Sequence, residues 1–288
     1  MRVLVLGATG MLGHVVAERF DGQFELHLGV RGVERARRLG VPGEAHAVDA
    51  LDPAGAAALV ARLRPAAVVN AIGLVKQLDE ASRPVPAITV NSLLPHVLTD
   101  AARRAGARLL HVSTDCVFSG ALAPPAAYTE DDLPDAQDLY GRTKLLGEVS
   151  APPALTLRTS IIGRELERAS GLMEWFAGQR GATLNGFTNA IFSGLTTKAL
   201  ATVMAELLVD HPDLTGVYQV SADPIDKYEL LVRLRAALGV GCEIRPVDEP
   251  RINRALDSSR FRAATGIDIP SWDEMLAEYD KETDDAHA

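Results

Sequence analysis

A tyrosine and a lysine four residues apart could perform acid–base chemistry in this chain. Tyr140 and Lys144 belong to the segment DLYGRTKLLGE, and residues at this spacing share one face of a helix. A phenol has a pKa of about 10, and a neighbouring ammonium brings that pKa towards the working range. Upstream, HVSTDCVFSG ends an apolar run with the hydroxyls of Ser113 and Thr114. We expect Tyr140 to protonate a substrate oxygen and Thr114 to orient a carbonyl.

Three glycines follow the first apolar run at intervals that favour a phosphate-binding turn. VLGATGMLGH contains Gly7, Gly10 and Gly13. Glycine permits positive φ and a close approach of ligand to backbone, and the next helix offers free N–H groups at its N-terminus. The spacing differs from the G-x-G-x-x-G fingerprint, and a strand-to-helix turn without a ligand is the alternative. Combined with the hydroxyls and the Tyr-x-x-x-Lys pair, the turn predicts a dinucleotide site.

The end of the second predicted strand, LGVRG, bears on the choice of cofactor. In dinucleotide folds an acidic residue at this point binds the ribose hydroxyls of NAD, whereas an arginine accommodates the 2′-phosphate of NADP. The position is occupied by Arg31, and Arg35 follows it. A solvated basic helix face is the alternative. We therefore expect NADPH, with NADH as the less favoured cofactor.

Other polar residues near predicted strand ends are candidates for cofactor contacts. Asp49 in AVDALD could accept a hydrogen bond from an adenine amino group, whereas Asp52 is better suited to cap a helix. The fourth strand ends in VVNAIG, where Asn70 and Gly73 leave room for a ribose against bare backbone. Asn91 is expected to tie a helix to the sheet.

Apolar, β-rich runs alternate with helical patterns through the first two thirds of the chain. The predicted strands are RVLVLG, FELHLGV, EAHAV, AAVVNAIG, ARLLHVS and ALTLRTSII, and the predicted helices include Leu12–Phe20, Pro53–Arg64, Val85–Ala105 and Leu139–Glu148. This alternation predicts an α/β fold, a doubly wound, Rossmann-like parallel sheet with a smaller C-terminal substrate lobe. We expect a dinucleotide-binding domain over residues 1–163. Residues 164–288 are expected to form mainly the substrate-binding lobe, with some segments returning to the sheet.

Composition and charge limit the classes of partner. The 288 residues are 47% hydrophobic and 23% charged, which is ordinary for a globular protein. A net charge of −9 without a basic stripe argues against nucleic acid. No apolar run reaches the roughly 18 residues of a membrane span, and the N-terminal segment lacks signal-peptide features, so we expect no membrane association and a cytoplasmic location. Cys116 and Cys242 lack metal-ligand spacing, and the sequence predicts no metal site.

The order of these motifs resembles the extended short-chain dehydrogenase/reductase superfamily almost end to end. GATGMLG, Asp49, NAIG, STDCVF, YGRTK and LRTS are most similar to dTDP-4-dehydrorhamnose reductases and related nucleotide-sugar ketoreductases. The resemblance implies that Thr114, Tyr140 and Lys144 are catalytic. It implies a cofactor site made of residues from these motifs, namely Gly7, Thr9, Gly10, Met11, Leu12, Gly13, Arg31, Asp49, Ala50, Asn70, Ala71, Gly73, Tyr140, Lys144 and Thr159.

One departure from the family pattern follows Asp115. Such reductases usually have Asp-Tyr-Val-Phe after the catalytic threonine, whereas this chain has Cys116 at the second position. The related 4,6-dehydratases carry Asp-Glu there as an acid/base pair. Because a thiol cannot replace that glutamate, dehydration is disfavoured. Cys116 is expected to be a packing residue rather than a nucleophile.

Substrate contacts are predicted in the loop TNAIFSGLTTKALA. Asn189, Ser193 and Thr196 could bind a sugar or a pyrophosphate, with helix capping by Ser193 or Thr196 as the alternative. The predicted substrate set is completed by Lys76, Asp115 and Cys116. Lys227 and Arg254 are further candidates, although a surface location is favoured for both.

These features predict the NADPH-dependent reduction of a keto group on a nucleotide-linked deoxysugar. The alternatives are a nucleotide-sugar epimerase that retains NAD and, from another class, a non-catalytic dinucleotide-binding regulatory subunit. The intact Thr114, Tyr140 and Lys144 set weighs against the regulatory subunit. Extended reductases often form homodimers through helices that include the one with the catalytic tyrosine. Leu145 and Leu146 are compatible with a homodimer, and burial against the protein's own sheet would explain them equally well.

Overall fold

The computed structural model describes residues 1–75, 82–167 and 171–285, in which strands and helices alternate. The strands are β1 (Arg2–Leu6), β2 (Glu25–Val30), β3 (Glu44–Ala47), β4 (Ala67–Asn70), β5 (Arg108–Val112), β6 (Ala154–Arg158), β7 (Ile161–Ile162), β8 (Thr183–Phe187), β9 (Ala190–Phe192), β10 (Leu195–Thr196), β11 (Gly216–Gln219), β12 (Ile225–Asp226), β13 (Glu243–Val247) and β14 (Ile252–Asn253). The α-helices are α1 (Gly13–Phe20), α2 (Val33–Arg38), α3 (Pro53–Leu63), α4 (Pro84–Ala87), α5 (Leu94–Ala105), α6 (Leu139–Leu146), α7 (Leu172–Ala177), α8 (Thr197–Val209), α9 (Lys227–Ala237), α10 (Ser259–Thr265) and α11 (Trp272–Asp285).

The main sheet has seven strands in the order β3-β2-β1-β4-β5-β6-β11, and every neighbouring pair is parallel. The first six strands have the order of a dinucleotide-binding sheet, which reverses direction between β1 and β4. The predicted α/β, Rossmann-like fold is confirmed. Ligands of open parallel sheets bind outside the carboxyl ends of the strands near such a reversal.

Alternate residues of the central strand β1 enter the two hydrophobic cores. Val3 and Val5 belong to the core that α1 and α8 cover, whereas Leu4 and Leu6 belong to the core under α3 and α5. Side chains of a strand point alternately to the two faces of the sheet, and helices bury both faces here. All four side chains have no exposed surface. The strand ends are therefore held rigidly.

The predicted helix Val85–Ala105 is interrupted in the structure. The segment starts at Pro84 as α4, continues as a π-helical segment over Ile88–Leu93 and ends as α5. Pro95 has no N–H group to donate to the carbonyl of Asn91, and a π turn is one way to accommodate that loss. The Asn91 side chain accepts from the backbone N of Leu74 at 2.9 Å and donates to Thr143 Oγ1 at 3.3 Å. Asn91 thus ties this segment to the chain after β4 and to α6.

The second part of the chain adds to the main sheet and also builds small sheets of its own. Strand β11 extends the main sheet beside β6, and α8 packs against α1. Strands β12, β9 and β14 form one small sheet, and β13 pairs with β8. The division into residues 1–163 and 164–288 stays a prediction. Among the described residues, every helix is too short or too polar to cross a membrane.

Candidate active site

A cavity of about 830 Å³ lies at the carboxyl ends of the main strands. Its lining comes from the segments that follow β1, β2, β3, β4, β5 and β6. It therefore occupies the position at which a parallel sheet of this order binds its ligand. The predicted residues that line it are Gly7, Thr9, Gly10, Met11, Leu12, Arg31, Asp49, Ala50, Ala71, Gly73, Thr114, Asp115, Cys116, Tyr140, Lys144 and Thr159.

The glycine turn lets the backbone approach the cavity and lets α1 approach β1. Gly7 has a φ of +81°, in the left-handed region that residues with a side chain rarely adopt. A Cβ atom on Gly13 would overlap the carbonyl oxygen of Gly7, so Gly13 is required for contact between helix and strand. The described lining of the cavity does not include Gly13. The structure thus gives Gly13 a packing role, and its predicted cofactor contact stays a prediction.

Two arginines reach the cavity near the end of β2. Arg31 follows the strand directly, and Arg35 lies on α2. The Arg35 guanidinium forms an ion pair with the Glu167 carboxylate, which also lines the cavity. Asp49 also lines the cavity, and its Oδ1 accepts from the backbone N of Leu51 at 2.9 Å. Asp52 caps α3, as the capping interpretation predicts.

Tyr140 faces the cavity from the first turn of α6 and hydrogen-bonds to Thr114. Asp138 starts the helix by accepting from the backbone N of Gly141 at 2.8 Å. Burial raises the pKa of the Tyr140 phenol above its usual value, and the nearby Cys116 thiol raises it further, whereas the hydrogen bond with Thr114 lowers it. The phenol is therefore protonated at neutral pH and able to donate a proton.

Lys144 lies one turn further along α6 and is buried. Its Nζ donates to the carbonyl oxygen of Val112, at the end of β5, at 2.7 Å. Burial lowers the pKa of Lys144 to about 8, against the opposing effect of the Glu148 carboxylate. The pKa of Tyr140 is raised rather than brought towards the working range as expected, because burial of the phenol dominates.

The expected surface location of Lys227 is wrong, because this residue lines the cavity. Lys227 begins α9 and lines the cavity, with Nζ 3.9 Å from the centroid of the Phe192 ring. Burial lowers the pKa of the Lys227 ammonium, and the charge of Asp115 partly offsets this effect. Burial raises the pKa of the Asp115 carboxyl, although Arg254 and other neighbours act against it. A negatively charged or hydroxyl-rich ligand would thus meet an ammonium beside a buried carboxyl group.

Arg254 is also half-buried rather than on the surface. Its Nε donates to the carbonyl oxygen of Phe118 at 2.9 Å, and Nη2 donates to that of Ser119 at 3.1 Å. These bonds hold the chain that follows the short 3₁₀ turn of Asp115–Val117. No periodic sequence pattern marks Lys227 or Arg254, because the contacts of both depend on distant segments.

The structure places four predicted contact residues elsewhere. The described lining of the cavity does not include Asn70, Asn189, Ser193 or Thr196. Asn70 is fully buried, with Nδ2 3.1 Å from His111 Nδ1, and Asn189 Nδ2 donates to the carbonyl oxygen of Asp248 at 2.9 Å.

The hydroxyl groups of Ser193 and Thr196 accept hydrogen bonds from the protein's own backbone. Ser193 Oγ accepts from the backbone N of Leu256 at 2.9 Å. Thr196 caps α8 by accepting from the backbone N of Ala199 at 3.2 Å, so the capping alternative holds for Thr196. The predicted substrate residue Lys76 lies outside the described residues.

The lining residues fit a dinucleotide cofactor that carries a 2′-phosphate. The cavity runs from Arg31 and Arg35, at the end of β2, past the bare backbone of the glycine turn to Tyr140 and Lys144. Backbone N–H groups at the start of a helix suit a pyrophosphate, although at the start of α1 His14 N and Val16 N already donate to the carbonyl oxygens of Gly10 and Leu12. Guanidinium groups suit a phosphate because they offer several donors in a fixed plane.

The RmlD substrate binding domain matches residues 1–284 of this chain. The chain belongs to this family. Methionine adenosyltransferase 2 subunit beta of Xenopus laevis is 29% identical over 272 residues, which cover 86% of this chain and 76% of that protein. The dTDP-4-dehydrorhamnose reductase of Salmonella typhimurium is 26% identical over 297 residues, which cover 95% of each chain.

The RmlD family fold is also found among solved structures. The dTDP-4-dehydrorhamnose reductase of Bacillus anthracis, solved in complex with NADP, has a TM-score of 0.81 and 20% identity to this chain. The match covers 98% of this chain and 99% of that one. At that identity the likeness concerns the fold alone.

Proposed function

We propose that this protein reduces the keto group of a nucleotide-linked deoxysugar with NADPH, in the manner of a dTDP-4-dehydrorhamnose reductase. The observation that carries the proposal is the presence of Tyr140, Thr114 and Lys144 on the same cavity as the glycine turn and Arg31. Membership of the RmlD family and likeness to a reductase over 95% of both chains support it.

Residues at both ends of the cavity would hold the cofactor. Gly7, Gly10 and the start of α1 would meet its pyrophosphate, and Arg31 its 2′-phosphate. Tyr140 and Lys144 would lie at its nicotinamide end. When bound there, NADPH supplies the hydride that reduces the carbonyl carbon.

Tyr140 would act as the general acid. Its raised pKa keeps the phenol protonated, so its hydrogen is available to the oxygen of the carbonyl. Thr114, which hydrogen-bonds to Tyr140, would orient that oxygen and stabilise the phenolate that remains. The Lys144 ammonium, four residues from Tyr140 on α6, would add positive charge near the phenolate. Each group therefore stabilises charge that develops only as the proton moves.

The substrate side of the cavity would be formed by Asp115, Cys116 and Lys227. Lys227 supplies the positive charge expected opposite a nucleotide sugar, and Asp115 can accept hydrogen bonds from sugar hydroxyls. Cys116 occupies the position after Asp115 where a dehydratase carries its glutamate, which supports reduction over dehydration. A cytoplasmic location stays a prediction and is compatible with these nucleotide ligands.

A homodimer would explain an exposed apolar face near the catalytic helix. Val85 is 76% exposed, Ile88 47%, Leu93 49% and Leu146 64%, all on α6 or on the interrupted helix that precedes α5. Leu145, by contrast, packs against the small core that contains Val117 and Phe118. Light scattering should report a dimer, and Leu146→Glu should shift it towards monomer; a monomeric parent protein would contradict the proposal.

A regulatory subunit is the second candidate, and the 29% identity to a methionine adenosyltransferase subunit favours it. The two candidates differ in turnover rather than in cofactor binding. A catalytic proton donor has no role in a subunit that only binds a dinucleotide.

A panel of 4-keto nucleotide sugars, assayed by the loss of NADPH absorbance, tests the proposal. We expect turnover with at least one member and much slower turnover in Tyr140→Phe. Tight NADPH binding without turnover on any member would overturn the reductase and favour the subunit. Bound NAD in the isolated protein, with activity that needs no added reductant, would favour the epimerase.

A further inference from the structure

Four titratable side chains share one face of the strand pair β2 and β3, at the edge of the main sheet. They are Glu25 and His27 on β2 and Glu44 and His46 on β3. The register pairs His27 with Glu44 and Gly29 with His46. Because residues two apart in a strand point to the same face, the register brings the four side chains together. The described lining of the cavity contains none of them.

Three of these side chains place ligand atoms close together. His27 Nδ1 is hydrogen-bonded to His46 Nε2 at 2.9 Å and lies 3.6 Å from Glu44 Oε2. His46 Nε2 lies 3.7 Å from Glu44 Oε1. A tetrahedral ion with bonds of about 2.0–2.2 Å to nitrogen and oxygen separates its donors by roughly 3.3–3.6 Å. The distances from the rings to the two Glu44 oxygens lie near this range, whereas the two imidazole nitrogens must move apart by about 0.4 Å or more to reach it.

Glu25 holds the ring of His27 from the opposite side. Its Oε1 lies 3.4 Å from His27 Nε2 and accepts from Arg2 Nε at 2.9 Å. Metal-bound histidines usually donate their other N–H to a carboxylate, which fixes the ring and leaves the facing nitrogen free to bind metal. The His27 side chain is only 8% exposed, so burial also restricts the ring.

Two contacts besides the hydrogen bond to His27 restrain the His46 ring. The two imidazole rings stack with their centroids 5.2 Å apart and their planes 22° apart. Metal binding would place the His46 proton on Nδ1, replace the hydrogen bond between the two rings and give up the 3.5 Å contact with Arg62 Nη2. The Arg62 contact is at the limit of a hydrogen bond, and metal–nitrogen bonds would take the place of the hydrogen bond between the rings.

We propose that His27, Glu44 and His46 bind a divalent transition metal ion of the zinc class, with water as the fourth ligand. Two imidazoles and one carboxylate suit zinc, whereas magnesium prefers an all-oxygen shell. The ion would join β2 to β3 upstream of Arg31 and Asp49. It would stabilise this edge of the sheet and take no part in the reaction.

Titration of the full chain with Zn²⁺, in competition with a chromophoric chelator, tests the site. We expect one Zn²⁺ per chain with a micromolar Kd or tighter, and no competition from Mg²⁺. Co²⁺ in place of Zn²⁺ should give the intense visible bands of a tetrahedral site. Zn²⁺ should also raise the Tm, because a ligand that binds only the folded state stabilises it.

Variants assign the ligands. Glu44→Gln and His46→Gln should each weaken Zn²⁺ by more than tenfold and abolish the cobalt bands. Glu25→Gln should weaken Zn²⁺ by roughly 10–100-fold, as expected for an outer partner. His211→Gln, which removes a histidine outside the cluster, is the matched control and should bind as the parent does.

Two results would overturn the proposal. One is a parent protein that takes up no Zn²⁺ at micromolar concentration. The other is a Glu44→Gln variant that binds Zn²⁺ as tightly as His211→Gln. The Glu44 side chain is 68% exposed, so its substitution should leave the fold intact, and the metal-free Tm verifies this.

Discussion

Glu148 and Arg158 form a buried ion pair next to the C-terminal end of α6. Arg158 Nη2 lies 2.7 Å from Glu148 Oε2, and Nε donates to Oε1 at 2.8 Å. The Ser113 hydroxyl donates to the same Oε1 at 2.7 Å. The pair joins the chain after α6 to β6 and to the end of β5, and the carboxylate opposes the loss of charge on Lys144. The pair therefore connects the charge state of Lys144 to the packing of α6 against β5 and β6.

Glu148→Gln should destabilise the protein strongly, because it leaves the Arg158 charge buried and unpaired. Breaking a buried pair by removing one partner costs about 3–5 kcal/mol. Urea denaturation gives the free energy of unfolding. Asp100→Asn is the matched control, since its ion pair with Arg103 is exposed and should contribute at most about 1 kcal/mol. Equal small effects in both variants would contradict the structural role of the pair.

The rate of reduction should fall as pH rises through about 8, the pKa to which burial lowers Lys144. The ammonium exists below that pKa and is lost above it, so the charge that stabilises the phenolate disappears on the alkaline side. The raised pKa of Tyr140 keeps the acid protonated over the same range. A pH profile of kcat at saturating NADPH measures the effect. The Lys144→Arg variant should lack this alkaline decline, because an arginine stays charged over this range. If the decline persists in the variant, it arises from the titration of another group.

Tyr140→Phe should lower kcat by roughly 10²–10⁴-fold, the usual contribution of a general acid. The Kd of NADPH should change little, since the ring remains. Tyr218→Phe is a suitable control. Tyr218 lies on β11 with the Arg260 guanidinium over its ring, and the described lining of the cavity does not include it. Near-normal turnover in Tyr140→Phe would remove this residue from the mechanism.

The parts of the fold and site that could be predicted are those specified by short stretches of sequence. The alternation of strands and helices predicted the parallel sheet. The glycine turn from Gly7 and the arginine that follows β2, Arg31, predicted residues that line the cavity. Both segments directly follow a strand, and a parallel sheet binds its ligand at the carboxyl ends of its strands.

Contacts between distant segments could not be predicted. Ser193 bonds to the backbone of Leu256, 63 residues away, and local sequence offers no sign of that partner. His27 and His46 meet only through the register of two strands, which neither strand alone reveals. The sequence alone shows Lys227 only as a lysine in a polar segment. It lines the cavity because α9, which it begins, packs against β9.

Lys227→Met should raise the KM for the nucleotide sugar and leave the Kd of NADPH unchanged. Loss of a charge-assisted contact costs about 1.5–3 kcal/mol, which is roughly ten- to a hundredfold. Steady-state kinetics and cofactor titration separate the two effects. Lys198→Met is the matched control, because Lys198 lies over the Tyr279 ring and the described lining of the cavity does not include it. Equal KM values in the two variants would place Lys227 outside substrate binding.

Arg31→Ala should narrow the preference for NADPH over NADH. The 2′-phosphate brings about two negative charges to the end of β2. There the forked guanidinium of Arg31 can contribute roughly 1.5–3 kcal/mol, or ten- to a hundredfold in affinity. NADH lacks this phosphate and gains little from the arginine. Paired Kd values for both cofactors measure the change.

Arg35 should also bind the 2′-phosphate of NADPH once the Glu167 carboxylate no longer pairs with it. In the structure its guanidinium pairs with Glu167, so a phosphate must compete with that carboxylate. Glu167→Gln should therefore tighten NADPH and leave NADH unchanged. Arg38→Ala, on the exposed face of α2, is the control and should alter neither cofactor. A parent protein that prefers NADH, or equal weakening of both cofactors in Arg31→Ala, would show that Arg31 has a structural role and that the NADPH assignment is wrong.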